Sequence, residues 1–172
     1  LKKSFATLAF GMALFLPAES QEYAIDTSHS ALNFSIQHIG LGNTWGRFND
    51  FSGTIQYDAS QLSSSSIQLT ANIASVDTHN KKRDDHLRNT DIFDAGTYPT
   101  MSFSGKGFKM VSKDQYEVTG ELTIRDISKK ITVILKKIGE GTHFFAKKPA
   151  IGFEVDFNID RKDFGIGQGK VD

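Results

Sequence analysis

The sequence predicts an all-β protein of antiparallel strands, closed into a barrel or folded as a sandwich. Three observations carry that prediction. Apolar and polar residues alternate over most of the chain, the alternating runs are joined mostly by short turns, and only residues 75–99 leave room for a helix. Alternation of period two gives a strand one apolar and one wet face, the mark of antiparallel sheet. Seven or eight such strands without covering helices must pack sheet on sheet or close on themselves.

The chain opens with Lys2 and Lys3, an uncharged apolar run from Phe5 to Leu16, and then Pro17, Ala18, Glu19 and Ser20. A positive start, a run of about 7–15 apolar residues and a small-residue site describe a secretory signal peptide. The run is short of the roughly 20 residues that span a bilayer. Residues 1–20 are therefore expected to be a cleaved signal and residues 21–172 an exported domain, with no stable membrane insertion. Without residues 1–20 the chain holds 18 basic and 19 acidic residues, which gives no electrostatic case for a nucleic-acid partner. It has no cysteine, which excludes a thiol nucleophile and thiolate metal sites. Eleven phenylalanines remain, enough for a generous core in a chain of this length.

Residues 23–26 read as a short first strand. In residues 31–38, Leu32, Phe34, Ile36 and His38 share a face. Gly40, Gly42 and Gly46 suggest a flexible connection before Phe48 and Phe51. Residues 53–58 read as a strand with Ile55 and Tyr57 on one face, and residues 59–66 as a serine-rich turn. Ile67, Leu69, Ala71 and Ile73 alternate cleanly with polar neighbours. Residues 101–105 follow as a strand, and residues 118–124 and 130–138 pair as a hairpin around the turn at 125–128. Residues 151–160 alternate most regularly of all, with Phe153 and Phe157 on the apolar face, and Gly165–Gly169 reads as a flexible loop. The chain stops two residues after Gly169-Lys170, as Val171 brings back an apolar side chain, so a closing strand beyond Asp172 is expected. A barrel of about eight strands encloses one elongated apolar ligand, whereas a sandwich fills its middle with its own side chains. The small inward residues Ala71, Gly105 and Gly120 either leave room or accommodate phenylalanines opposite.

Residues 75–99 interrupt the strands with two histidines and a dense set of charges. Thr78 or Asn80 is placed to cap a short helix through Arg88, and Tyr98-Pro99 ends the segment. Leu87 and Phe93 on one side and charges on the other make a lid for a barrel mouth. Arg83-Asp84-Asp85-His86 has the residue types for acid–base work, for holding a loop by ion pairs, or for a phosphate-bearing headgroup. None of the five histidines falls in an i, i+4 pair, so no metal site is assigned.

Several motifs occur in one order along the chain: Ile25-Asp-x-x-His-Ser30, Phe48-x-x-Phe51-x-Gly53, Ser75-x-Asp-Thr-x-Asn80, Arg83-Asp-x-His-Leu-Arg88, Asp91-x-Phe-Asp94, Tyr98-Pro-x-x-x-Phe103, Gly120-x-Leu-Thr-Ile124 and Arg161-x-Asp-Phe-Gly165. Together they resemble the YceI-like family. The resemblance implies a periplasmic, lipocalin-like antiparallel barrel that binds a polyisoprenoid lipid in an apolar tunnel and catalyses nothing. The ligand class would be a quinone precursor or an isoprenyl phosphate, bound for storage or transport. Members continue past the Arg-x-Asp-Phe-Gly segment into a final strand, so this domain is expected to lack its last one. Mapped onto this chain, the lining would be Phe34, Ile36, Phe51, Ile55, Leu69, Ile73, Phe103, Leu122, Phe153 and Phe157, with Leu87 and Phe93 at the lid. Headgroup contacts would fall to His79, Arg83, Asp84 and His86. No catalytic residue and no cofactor other than the lipid is assigned, and a homodimer is left open. An enzyme using the Arg83–His86 cluster and a solid-core interaction module are the competing readings.

Overall fold

A computed structural model describes residues 21–167. The expected signal segment, residues 1–20, lies outside the described residues. Seven strands form one antiparallel sheet in the order β1 (Gln21–Ala24), β4 (Phe51–Tyr57), β5 (Ser66–Asn72), β7 (Thr100–Ser112), β8 (Gln115–Ile124), β9 (Ile127–Thr142) and β10 (Pro149–Val155). A smaller sheet joins β2 (Leu32–His38), β3 (Gly42–Phe48) and β6 (Val76–Asp77). The single α-helix among the described residues, α1 (Lys81–Arg88), follows β6 directly.

The large sheet curls into a nearly closed barrel. Cross-strand partners lead from Tyr23 through Ile55, Ile67, Gly105 and Gly120 to Ile131 on β9. The residue that actually approaches the far end of β1 is His143, beyond the tip of β9, whose Nε2 lies 3.7 Å from Asp26 Oδ2. The circuit thus returns displaced along the strands, which is the stagger that closing a tilted sheet requires.

Side chains on the inner face form filled plugs at the two ends. One gathers Tyr57, Ile67, Phe108, Tyr116, Val118, Val133 and Leu135. Inside it, the Tyr57 and Tyr116 hydroxyls bond at 2.9 Å, and Phe153 packs edge-on against both rings. Burial, and then the hydrogen bond to Tyr116, push the Tyr57 phenol up. The other end is filled by Phe48, Phe51, Ala71, Ile73 and Val76, and by Ile92, Leu122, Ile124, Phe164 and Ile166 beneath α1.

The strand pattern departs from expectation in three places. Residues 42–48 are a strand rather than a flexible connection. Its glycines hide the alternation: Gly46 sits opposite Phe34 in the register and lies under that ring, where no side chain fits. Residues 39–41 make the turn, with Ile39 and Gly40 both at positive φ. The strand read over 151–160 ends at Val155, which leaves Phe157 43% exposed beyond it. Gly165–Gly167, read as flexible, is an ordered turn: Gly165 adopts φ 66° to close the 3-10 turn Arg161–Phe164, and Ile166 is buried. That accounts for the Arg-x-Asp-Phe-Gly motif, since its phenylalanine plugs the lid end and its glycine supplies the left-handed cap.

Candidate functional site

The lid is organised around Thr78. Asn80 caps α1 by accepting from Arg83 N at 3.1 Å. Asp84, on the buried side of the helix, accepts from Thr78 N at 2.8 Å and from Thr78 Oγ1 at 2.6 Å. Arg83 donates back through Nε to Thr78 Oγ1 and through Nη2 to Thr78 O, each at 2.8 Å. Arg88 clamps the next turn down by donating to Ala74 O and Val76 O, both at 2.9 Å, and to Asp85 Oδ1 at 3.0 Å. Two of the four headgroup candidates, Arg83 and Asp84, are therefore spent on the protein's own backbone and on one threonine. His86 reaches Asp91 Oδ2 at 2.9 Å, a bond that holds the Asp91 carboxyl low. His79 is exposed, at positive φ, and its backbone N–H donates to Asp77. That bond, followed by those from Asn49 and Arg47, brings the Asp77 carboxyl down to about 2. Arg83 and His86 do line one shallow groove, together with Asn80 and Lys82, but it opens outward to solvent. His79 and Asp84 are not part of it.

The apolar set divides more cleanly. Phe51, Ile73 and Leu122 are buried in the lid-end core, and Phe34, Leu87 and Phe93 pack against it. Ile36 is 43% exposed on the β2–β3 arm, and Phe157 lies outside the barrel strands, so neither lines the interior. Ile36 alternates correctly with Phe34, but the arm projects beyond the sheet that Phe34 covers. The remaining four, Ile55, Leu69, Phe103 and Phe153, face inward. Their partners in register are apolar or glycine at most positions: Ile55 pairs Ile67, and Leu69 pairs Gly53 and Phe103. These four keep partial solvent exposure although they point into the barrel. Leu69 joins none of the packed clusters. Phe103 lies over the two small positions read as space, since a Cβ at Gly120 would stand 2.6 Å from its ring. Ala71 is 1% exposed among Phe48 and Phe51, so it belongs to a filled plug. Ile55, Phe103 and Phe153 pack against the Tyr57–Leu135 plug, and Phe103 also against the lid-end core, so of these four Leu69 is the one left outside the packed clusters.

A third group that sequence spacing does not place, His143, joins the neighbouring pair Asp26 and His29 at the seam. Asp26 Oδ2 bonds His29 Nδ1 at 2.8 Å, which lowers the Asp26 carboxyl, and His143 approaches the same oxygen. The three ligand-type atoms lie within 4.8 Å of one another. Ala146 N donates to His143 Nδ1 at 3.1 Å, so the neutral ring carries its proton on Nε2, facing Asp26. That proton stands where a metal would need a lone pair, and the 3.7 Å approach of His143 to Asp26 is a polar contact between the β9–β10 tip and the segment after β1. Arg125 was read only as part of a turn. It holds the lid-end plug by donating to Gly165 O at 3.1 Å and lying 5.5 Å from the Tyr98 ring.

The comparisons with known proteins agree with this architecture. The chain is 37% identical over 170 residues to a UPF0312 protein of Pseudomonas paraeruginosa, covering 96% of this chain and 88% of the relative. The crystal structure of Burkholderia cenocepacia BcnA superposes with a TM-score of 0.77 at 27% identity, over 85% of this chain and 87% of that one. A polyisoprenoid binding domain from Saccharophagus degradans, implicated in plant cell wall breakdown, shares the fold at a TM-score of 0.54 and 20% identity, over 69% and 68% of the two chains. The YceI-like domain matches residues 23–172. By its motifs, its barrel and its relatives, the chain belongs to the YceI-like family.

Proposed function

We propose that this protein binds an elongated apolar lipid of the polyisoprenoid class along the middle of its barrel, catalyses no reaction, and works in the periplasm after export. The observation that carries the reading is Leu69, an inward apolar side chain of the barrel wall that is partly exposed and joins none of the packed clusters. Covering such surface gains roughly 25 cal/mol per Å² before ordering costs, so an isoprenoid chain has a strong drive to enter. The description of the Saccharophagus domain as polyisoprenoid-binding supports the same ligand class. The lid supports binding over chemistry, because Arg83 and Asp84 are engaged with Thr78. A quinone precursor or an isoprenyl phosphate fits best, with the outward groove of Asn80, Lys82, Arg83 and His86 as the place for a polar head.

Native mass spectrometry of the protein purified from its exported form tests this. The expected result is a bound species that solvent extraction identifies as an isoprenoid. Leu69→Trp should abolish it while leaving the melting temperature within a few degrees of the parent. A protein that carries no lipid and takes up no long-chain isoprenol overturns the reading.

A further inference from the structure

The β9–β10 hairpin ends in a turn, residues 143–148, that presents Phe144 at 72% and Phe145 at 83% exposure. The two rings meet edge to face at 5.1 Å. Lys147 Nζ lies 4.4 Å over the Phe144 ring, and Lys148 follows it. Neither lysine pairs with a carboxylate among the described residues, and the turn itself contains no acidic residue. Glu140 pairs with Lys137, and Asp26 bonds His29 and approaches His143 at the base of the turn. The turn is also closed on itself: His143 N donates to Lys148 O at 2.8 Å, Lys147 N to His143 O at 2.9 Å, and Ala146 N to the His143 ring.

Aromatic rings that offer an apolar body beside a cation favour the boundary between lipid headgroups and acyl chains. Lysines beside them are attracted to anionic headgroups. Because His143, Ala146 and Lys147 donate within the turn, those three N–H groups reach that boundary already satisfied. We propose that this hairpin tip docks the protein on the surface of an anionic lipid bilayer, Phe144 and Phe145 entering the headgroup zone and Lys147 and Lys148 contacting the phosphates. The contact goes beyond lipid binding inside the barrel and can be tested without it.

The test is co-sedimentation of the exported protein, without residues 1–20, with vesicles of phosphatidylcholine alone or containing about one-third phosphatidylglycerol. The parent should pellet with the anionic vesicles and much less with the neutral ones, and salt should weaken it. Phe144→Ser with Phe145→Ser should lower partitioning at least tenfold at an unchanged melting temperature, since neither ring packs in a core. Lys147→Gln and Lys148→Gln should each lower it by about fivefold, the effect of one juxtamembrane charge. A parent that ignores both vesicles overturns the proposal, as does a double variant that pellets like the parent. So does light scattering that shows a parent dimer split by the double variant, which would make the tip an interface between copies. The barrel reading survives any of these outcomes, because extracted lipid is measured separately.

Discussion

The lid end and the middle of the barrel are built on opposite terms. At the lid end the conspicuous charges are satisfied: Asp84 and Arg83 meet on Thr78, and Arg88 closes two backbone carbonyls. Between the plugs, an unremarkable strand residue such as Leu69 points inward, keeps partial exposure and joins none of the packed clusters. The contrast shows that a dense charge cluster in a loop marks what holds the loop, because a segment with little apolar surface must fix its backbone by polar bonds. The apolar side chain that the core leaves partly exposed, Leu69, sits instead where the sequence looks most ordinary.

The largest expected effect that would break this contrast comes from Asp84→Ala. It leaves Thr78 N and Oγ1 without their buried acceptor, and bonds to a charged partner are worth about 1.5–3 kcal/mol each. A loss of about 3 kcal/mol is expected in urea unfolding, with the lid amides becoming the first to exchange. A variant as stable as the parent would show that the Thr78 network is ornamental.

Next in size is the difference between two plugging substitutions. Ala71→Phe enters a filled core and should cost about 1–3 kcal/mol. Leu69→Trp enters the uncovered middle and should cost less, while removing bound lipid. Equal costs at the two sites would mean that the middle is core like the ends.

Arg83→Ala sharpens the comparison further. Its partners are Thr78 Oγ1 and Thr78 O rather than a carboxylate, so the ion-pair role read for it is replaced by a smaller one. The expected cost is about 1–2 kcal/mol, below that of Asp84→Ala. If an isoprenyl phosphate loses affinity to this variant while the corresponding alcohol does not, the outward groove is the headgroup site.

The smallest effect is electrostatic. The folded Asp77 carboxyl titrates at about 2 against an ordinary 3.8, so its charged form stabilises the fold. That contribution is complete above about pH 4 and is lost as pH falls through about 2. The gap in melting temperature between the parent and Asp77→Asn should therefore be widest above pH 4 and close toward pH 2. A gap that stays constant over that window would place the Asp77 contribution elsewhere.

The sequence determined the all-β class, the inward faces of β4, β5 and β8, and a short capped helix ending at Arg88, because each is a local consequence of side-chain period or of one hydrogen bond; the structure chose Asn80 over Thr78 as the cap. It could not find β3, whose glycine yields to a ring on the neighbouring strand, nor the end of β10 at Val155, because pairing partners and not pattern decide where a strand stops. It also could not choose between ion pair, headgroup site and scaffold for Arg83 and Asp84. That depends on Thr78 being within 3 Å of both, a fact of how the chain turns from β6 into α1. The meeting of His143 with Asp26 and His29 brings the β9–β10 tip to the segment after β1 through the stagger of the barrel, and the exposure of Phe144 and Phe145 follows from their place at the tip of that same hairpin. Distance along a sequence carries no information about such meetings; only closing the sheet creates them.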